Sequence, residues 1–199
     1  GDEQIALVLA VVVVGHDAER AWMLSKKRTA PADTPMDRFV PGAHHIGGGD
    51  LYVGGEFSFV DHELAKNIAR WDGTGWHRLV TESGVGLNGK VNALLTGGPG
   101  VFVGGEFGNG GGGPGSRIAA WTGSAWVYQG SGIGNDAADR VNALAWHNGV
   151  LYAAGLFDVA GGAPARNIAK WDGTTWSSLG TGVDDGVNGE VHALAVLGD

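Results

Sequence analysis

The chain contains no cysteine. Disulfide frameworks, thiolate zinc sites and cysteine nucleophiles are therefore excluded. Charge is scarce too: only 17% of residues are charged, and 21 acidic against 13 basic residues leave a net charge of −8. Phosphate backbones bind to basic faces, so nucleic acid is not an expected partner. One long apolar run is present, Ile5–Val14 (IALVLAVVVV), and it is too short to span a bilayer. Asp2 and Glu3 precede it where a signal peptide carries basic residues. A buried strand is its first reading, a remnant of a targeting segment its second, and membrane insertion is not expected.

What the chain has instead is glycine, 38 of 199 residues, against a usual share of about 7%. That much glycine without a collagen period fits short strands joined by tight turns and fits long helices badly. With 43% hydrophobic residues the chain can bury a real core.

Internal periodicity is the strongest signal. LYVGGEF at Leu51–Phe57 returns as VFVGGEF at Val101–Phe107 and LYAAGLF at Leu151–Phe157. NIARWDGTGW at Asn67–Trp76 returns as RIAAWTGSAW from Arg117 and NIAKWDGTTW from Asn167. VNALL at Val91 returns as VNALA at Val141 and VHALA at Val191. All three series step by 50 residues without a gap. Each unit reads as four strands, for example Val91–Leu95, Val101–Phe107, Ile118–Trp121 and Trp126–Tyr128. The turns are Gly97–Gly100 and Thr122-Gly123-Ser124, the latter written Asp72-Gly73-Thr74 and Asp172-Gly173-Thr174 in the neighbouring units. Several strands are apolar at successive positions, as sheets buried on both faces require. The repeated pairs Trp71 and Trp76, Trp121 and Trp126, Trp171 and Trp176 are expected to fill the space between sheets rather than to stack on a ligand.

The glycine doublets Gly54-Gly55 and Gly104-Gly105 close a strand, with Gly155 alone remaining in the third copy; an aromatic-Asp turn and a further Trp follow. At a period near 50, this pattern resembles the kelch repeat. The wording LYVGGEF…NIAKWDGTTW…VHALAV is closer to the kelch-like subgroup of bacterial surface or secreted proteins and of the fungal cortical marker of cell polarity. The resemblance covers residues 43–199, as units near 43–90, 91–140 and 141–190 and the start of another at 191–199. It implies an all-β fold, a β-propeller of four-stranded blades serving as an interaction scaffold. The departures at Arg117, Thr122, Ala154 and Leu156 weaken single turns and leave the strand pattern standing.

Residues 1–42 are a degenerate or non-repeat segment. Val11–Val14 and Ala21–Leu24 read as worn strands and Thr29–Pro41 as a loop. Three full units do not close a ring, since propellers have about four blades or more. The first expectation is a partial propeller whose unpaired edges favour self-association. The alternative is a small ring in which Val191–Val196 pairs with strands from residues 1–42.

Catalytic patterns are weak. Gly84, Gly86 and Gly89 spell GxGxxG, but dinucleotide binding needs a helix to start at those glycines, and here they lead into the strand at Val91. Asp184, Asp185, Asn188 and Glu190 crowd oxygen ligands that suit a hard cation. Their counterparts in the preceding unit include Gly134, Ala138 and Arg140, so the group is not repeated, and a solvated turn is the first reading, as it is for Asp136 and Asp139. His44 and His45 are adjacent on a strand and so face opposite ways. His192 takes the place of Asn92 and Asn142 in its column and is expected to act as they do. No Ser-His-Asp arrangement has positional logic, and no cofactor is expected. The copper-oxidase chemistry of some kelch-like propellers needs a Cys cross-linked to Tyr, which is closed to this chain. The expected function is therefore non-enzymatic binding of a protein partner, outside the cell or on its surface. The expected contact surface is the rim loops Ser58–Lys66, Gly108–Ser116 and Asp158–Arg166. A glycan- or small-ligand-binding propeller is the alternative.

Overall fold

The structure is a computed structural model that describes residues 44–47 (as backbone), 50–81, 84–98, 100–108, 117–180 and 186–197. The described residues contain strands and turns and no helix. Three four-stranded antiparallel sheets account for most of them. The first holds β1 (His44–Gly47), β2 (Asp50–Gly54), β3 (Ile68–Trp71) and β4 (Trp76–Arg78). The second holds β5 (Val91–Gly97), β6 (Gly100–Gly105), β7 (Ile118–Trp121) and β8 (Trp126–Val127). The third holds β9 (Arg140–His147), β10 (Val150–Leu156), β11 (Ile168–Trp171) and β12 (Trp176–Ser178). Within each sheet the strands lie side by side in chain order. Register repeats with the sequence: Leu51 pairs Trp71, Val101 pairs Trp121 and Leu151 pairs Trp171.

The sheets stack face to face, and the apolar runs of the sequence follow from that. Odd-numbered side chains of the second sheet (Val101, Val103, Ala119, Trp121) join a core cluster with Tyr52 and Ile68 of the first. Its even-numbered side chains (Phe102, Ile118, Ala120) join Leu151, Ala153 and Ala169 of the third. Every residue of β7 is buried as a result, so no position on that strand is left to be polar. The Trp pairs lie in these layers, with ring centroids 5.4 Å apart for Trp71–Trp76, 5.2 Å for Trp121–Trp126 and 5.5 Å for Trp171–Trp176. Those are ordinary tilted and edge-on aromatic contacts.

The glycine doublet has two separate causes. The first glycine faces the next sheet: a Cβ on Gly54 would stand 2.3 Å from Val91 Cγ1, and one on Gly104 would stand 2.5 Å from Val141 Cγ1. The second lies against the opening of its own sheet's first strand. A Cβ on Gly105 would be 2.1 Å from the Lys90 carbonyl oxygen, and one on Gly155 would be 2.0 Å from that of Arg140. The ladder shifts register between Gly104 and Gly105 to allow this approach.

Turn chemistry explains the remaining repeats. Asp72 Oδ1 accepts hydrogen bonds from the N–H groups of Thr74 and Gly75 and from the Thr74 hydroxyl. Asp172 does the same for Thr174 and Thr175. Donors converging on these carboxylates hold both well below the usual Asp range, the Thr74 hydroxyl first for Asp72 and the Thr175 N–H first for Asp172. Thr122 closes the middle turn with one hydroxyl, bonded to Ala125. Asn67 and Asn167 adopt left-handed backbone, φ 69° and 59°, which Asn tolerates better than most residues. Each ties two segments together, accepting from Phe57 or Phe157 N–H and donating to the Leu87 or Val187 carbonyl. Arg117 holds the same conformation in the middle unit, φ 63°, and its guanidinium reaches the Asp139 carbonyl at 2.7 Å and that of Asp136.

Val191 repeats one contact of the earlier units, donating its N–H to the Gly155 carbonyl at 2.9 Å as Val91 does to Gly55 at 3.0 Å. Beyond it, residues 192–197 form no ladder pair with the described residues, and Leu197 is 93% exposed. Ala154 stands in this unit where Gly54 and Gly104 admit a valine, and Val191 is only half-buried whereas Val91 and Val141 are buried. The worn strands expected at Val11–Val14 and Ala21–Leu24 lie outside the described residues.

Candidate functional site

The segments expected to be plain rim loops contain short hairpins. In the first unit Phe59–Val60 pairs with Glu63–Leu64, Phe59 opposite Leu64. The hairpin is anchored at its base, where Ala65 N–H donates to the Ser58 carbonyl and Asn67 N–H to that of Phe57. Its turn is made by Asp61 and His62, both left-handed at φ 46° and 65°. The third unit makes the equivalent turn with Gly161 and Gly162 at φ 62° and 84°, where glycine carries no steric cost. Left-handed backbone at two successive non-glycine residues costs on the order of 1 kcal/mol each. The first unit therefore retains a strained, charged tip where the third has the relaxed one.

Burial separates the two hairpins further. In the third unit the hairpin (Val159–Ala160 with Ala163–Pro164) is docked through its first strand: Ala160 is 1% exposed and bridges to Ile133, Gly161 N–H donates to the Gly132 carbonyl, and Val159, the counterpart of Phe59, is half-buried, while Ala163 and Pro164 are exposed. In the first unit Phe59 is 62% exposed, and Leu64 across from it is also exposed. Around this apolar pair stand Asp61, His62 and Glu63, all exposed, with Arg78 Nη1 3.5 Å from Glu63 Oε2. An apolar pair on a raised tip, ringed by charges of both signs, is suited to docking a protein surface. Asn109–Ser116 of the middle loop lies outside the described residues.

The acidic group is not assembled as a cation site among the described residues. Asp184 and Asp185 lie outside them, and Asn188 is exposed. Both Glu190 oxygens are engaged: Oε1 accepts from Arg140 Nε at 2.7 Å and from Asn142 Nδ2 at 2.8 Å, and Oε2 from Arg140 Nη2 at 2.7 Å. The Arg140 fork, with Asn142 second, lowers the Glu190 carboxyl to about 2. This pair belongs to a polar ladder along the first strands of successive units. Asn92 Nδ2 donates to Asn142 Oδ1 at 3.3 Å, Asn142 donates to Glu190 and to the Val191 carbonyl, and Lys90 stands 3.8 Å from Glu106. His192 does not continue the ladder as Asn92 and Asn142 do. Its ring is 77% exposed and Nδ1 is 4.0 Å from Glu190. The Lys90, Arg140, Glu190 column changes sign at its last member, a pattern readable in the sequence that points to this interunit pair.

Gly84 and Gly86 of the GxGxxG string sit in and after a short strand, Gly84–Val85, and no helix begins there. A Cβ on Gly86 would lie 2.2 Å from the Ala65 and Lys66 carbonyl oxygens, so close packing accounts for that glycine. Asp139 Oδ2 accepts from the N–H groups of Asn135 and Asp136 at 2.7 Å each, which closes its own loop. No three His, Asp or Glu side chains among the described residues are grouped to hold a metal. No protein-family model and no curated protein sequence matches the chain. No helix among the described residues is long and apolar enough to cross a membrane.

Proposed function

We propose that the chain is a run of kelch-like blades from a β-propeller and acts as a non-enzymatic scaffold that docks a protein partner on its rim. The propeller reading is supported by three sheets of one topology that stack face to face at a fixed step of 50 residues. The docking reading rests on one observation: the Phe59 hairpin keeps a large apolar side chain 62% exposed on a strained turn, while its counterpart in the third unit is the smaller, half-buried Val159. Resemblance to surface and secreted repeat proteins carries the further proposal that the protein works outside the cell or on its surface, which fractionation of the source cells tests. A photo-crosslinker placed at Phe59 should capture one defined protein from its native setting, and one placed at Val127, also exposed, should not. Equal labelling from both positions removes the docking proposal.

A further inference from the structure

The chain has Asn-Gly pairs at Asn88, Asn109, Asn148 and Asn188, of which Asn109 lies outside the described residues. In this dipeptide the glycine nitrogen can attack the side-chain carbonyl of the asparagine, because glycine has no Cβ to obstruct the approach and has the least restricted backbone. The three described pairs differ in how far the fold permits that approach. Asn88 Oδ1 accepts from the Gly108 N–H at 3.0 Å. Gly89 is wedged against the second sheet, where a Cβ would stand 2.8 Å from Phe107 Cα and 2.9 Å from the Glu106 carbonyl oxygen. Asn148 and Gly149 form the turn between β9 and β10, which the ladder pair His147–Val150 closes. The Asn148 amide also bonds His147 Nε2 at 2.9 Å. Asn188 stands 50 residues after Asn88 and carries none of these restraints. Asn188 and Gly189 are both exposed, and nothing lies within 4 Å of where a Gly189 Cβ would stand. Neither the Asn188 side chain nor the Gly189 N–H makes a hydrogen bond among the described residues. The chain is pinned only outside the pair, where Val187 N–H donates to the Arg166 carbonyl at 3.0 Å and Val191 N–H to that of Gly155 at 2.9 Å.

We propose that Asn188 is a site of spontaneous covalent modification, at which the side-chain amide is converted to a carboxylate while Asn88 and Asn148 are protected by the fold. The Gly189 nitrogen bonds to Asn188 Cγ and gives up its proton. The Cγ–Nδ2 bond breaks, and the amide takes up that proton and leaves as ammonia. Water then opens the resulting cyclic imide. Attack at the side-chain carbonyl leaves aspartate, and attack at the main-chain carbonyl leaves isoaspartate, through which the chain runs by way of the side-chain carbon. Water is the only co-reactant. Either product places a new carboxylate close in sequence to Glu190, whose oxygens Arg140 already holds. Isoaspartate also lengthens the link between the anchored residues Val187 and Val191. The site depends on neither the Phe59 hairpin nor the propeller reading.

The test is incubation of the full chain at mildly alkaline pH, with aliquots digested and read by peptide mass spectrometry using a fragmentation that separates isoaspartate from aspartate. Asn188 should convert first. Asn88 and Asn148 should lag by at least about tenfold, because each must first give up a hydrogen bond and local packing before its glycine nitrogen can attack. In urea-unfolded chain the three pairs should convert at similar rates, which shows that the fold and not the local sequence sets the order. Gly189→Ala should slow conversion at Asn188 at least about tenfold by obstructing the attacking nitrogen; its new methyl meets nothing, so the circular dichroism spectrum should stay unchanged. Conversion of Asn88 or Asn148 in the folded chain as fast as that of Asn188 overturns the proposal. So does an Asn188 that stays intact in the folded chain while the unfolded chain converts.

Discussion

Adding a single methyl group at Gly104 probes how closely the second and third sheets approach. Its Cβ would stand 2.5 Å from Val141 Cγ1 and 3.1 Å from Val141 Cβ, well inside contact distance. Val141 is itself fully buried, so it has no solvent side to swing towards. Overpacking of this kind costs typically about 1–3 kcal/mol. Loss of glycine's freedom in the unfolded chain offsets roughly 0.4–1 kcal/mol of that. Gly104→Ala should therefore destabilise by about 1–2 kcal/mol. Val141→Ala removes two buried methyl groups and should cost about 2 kcal/mol, at roughly 0.8 kcal/mol per group plus a cavity contribution. In the double variant the new methyl enters the space the old ones left. Its loss should fall at least about 1 kcal/mol short of the sum, because residues in contact couple on that scale. The assay is a double-mutant cycle by urea unfolding followed by circular dichroism, with equal slopes required so that midpoints compare stability alone. Additivity to within about 0.5 kcal/mol would refute the close approach. The chain already contains a natural version of the change at Ala154, where the facing Val191 is less buried than Val91 or Val141.

Trp126 and Trp176 occupy one repeat position, yet Trp176 Nε1 donates to the Gln129 carbonyl at 2.8 Å while buried Trp126 Nε1 meets no acceptor among the described residues. Trp126→Phe removes an orphaned donor and Trp176→Phe breaks a bond, so in urea unfolding the second should cost about 1–3 kcal/mol more than the first. Glu190 has a folded-state pKa, about 2, below its unfolded value of about 4.3. Its contribution is therefore complete above pH 4.3 and is lost as pH falls towards 2; Arg140→Met should flatten stability against pH in that window and leave the slope above pH 6 unchanged.

How much of this could be read in the sequence depended on whether one unit or two were involved. Ile118–Trp121 and the Asp-Gly turns are legible because hydrophobic pattern and turn chemistry act within a few residues. The all-β class follows from the same local signals repeated three times. The Phe59–Leu64 and Val159–Pro164 hairpins both read as loops, with or without glycine at the turn, because their strands are two residues long and too short to show an alternating pattern. The reason for each glycine in the doublet was hidden, since one faces a valine a whole sheet away. The Arg140–Glu190 pair joins residues 50 apart, and nothing local announces it, although the charge column does. The GxGxxG string misleads in the other direction: Gly86 and Gly89 of the matching word serve close packing, and Gly84 a positive backbone φ of 141°.

The central claim is that the 50-residue units fold as like sheets stacked face to face. It is tested most directly by measuring nuclear Overhauser contacts across the two interfaces in methyl-labelled protein. The stacked arrangement predicts contacts from the Val91 methyls to the Gly54 α-protons and, of similar strength, from the Val141 methyls to those of Gly104. Finding neither contact while the contacts within each sheet persist would show that the units do not stack as described.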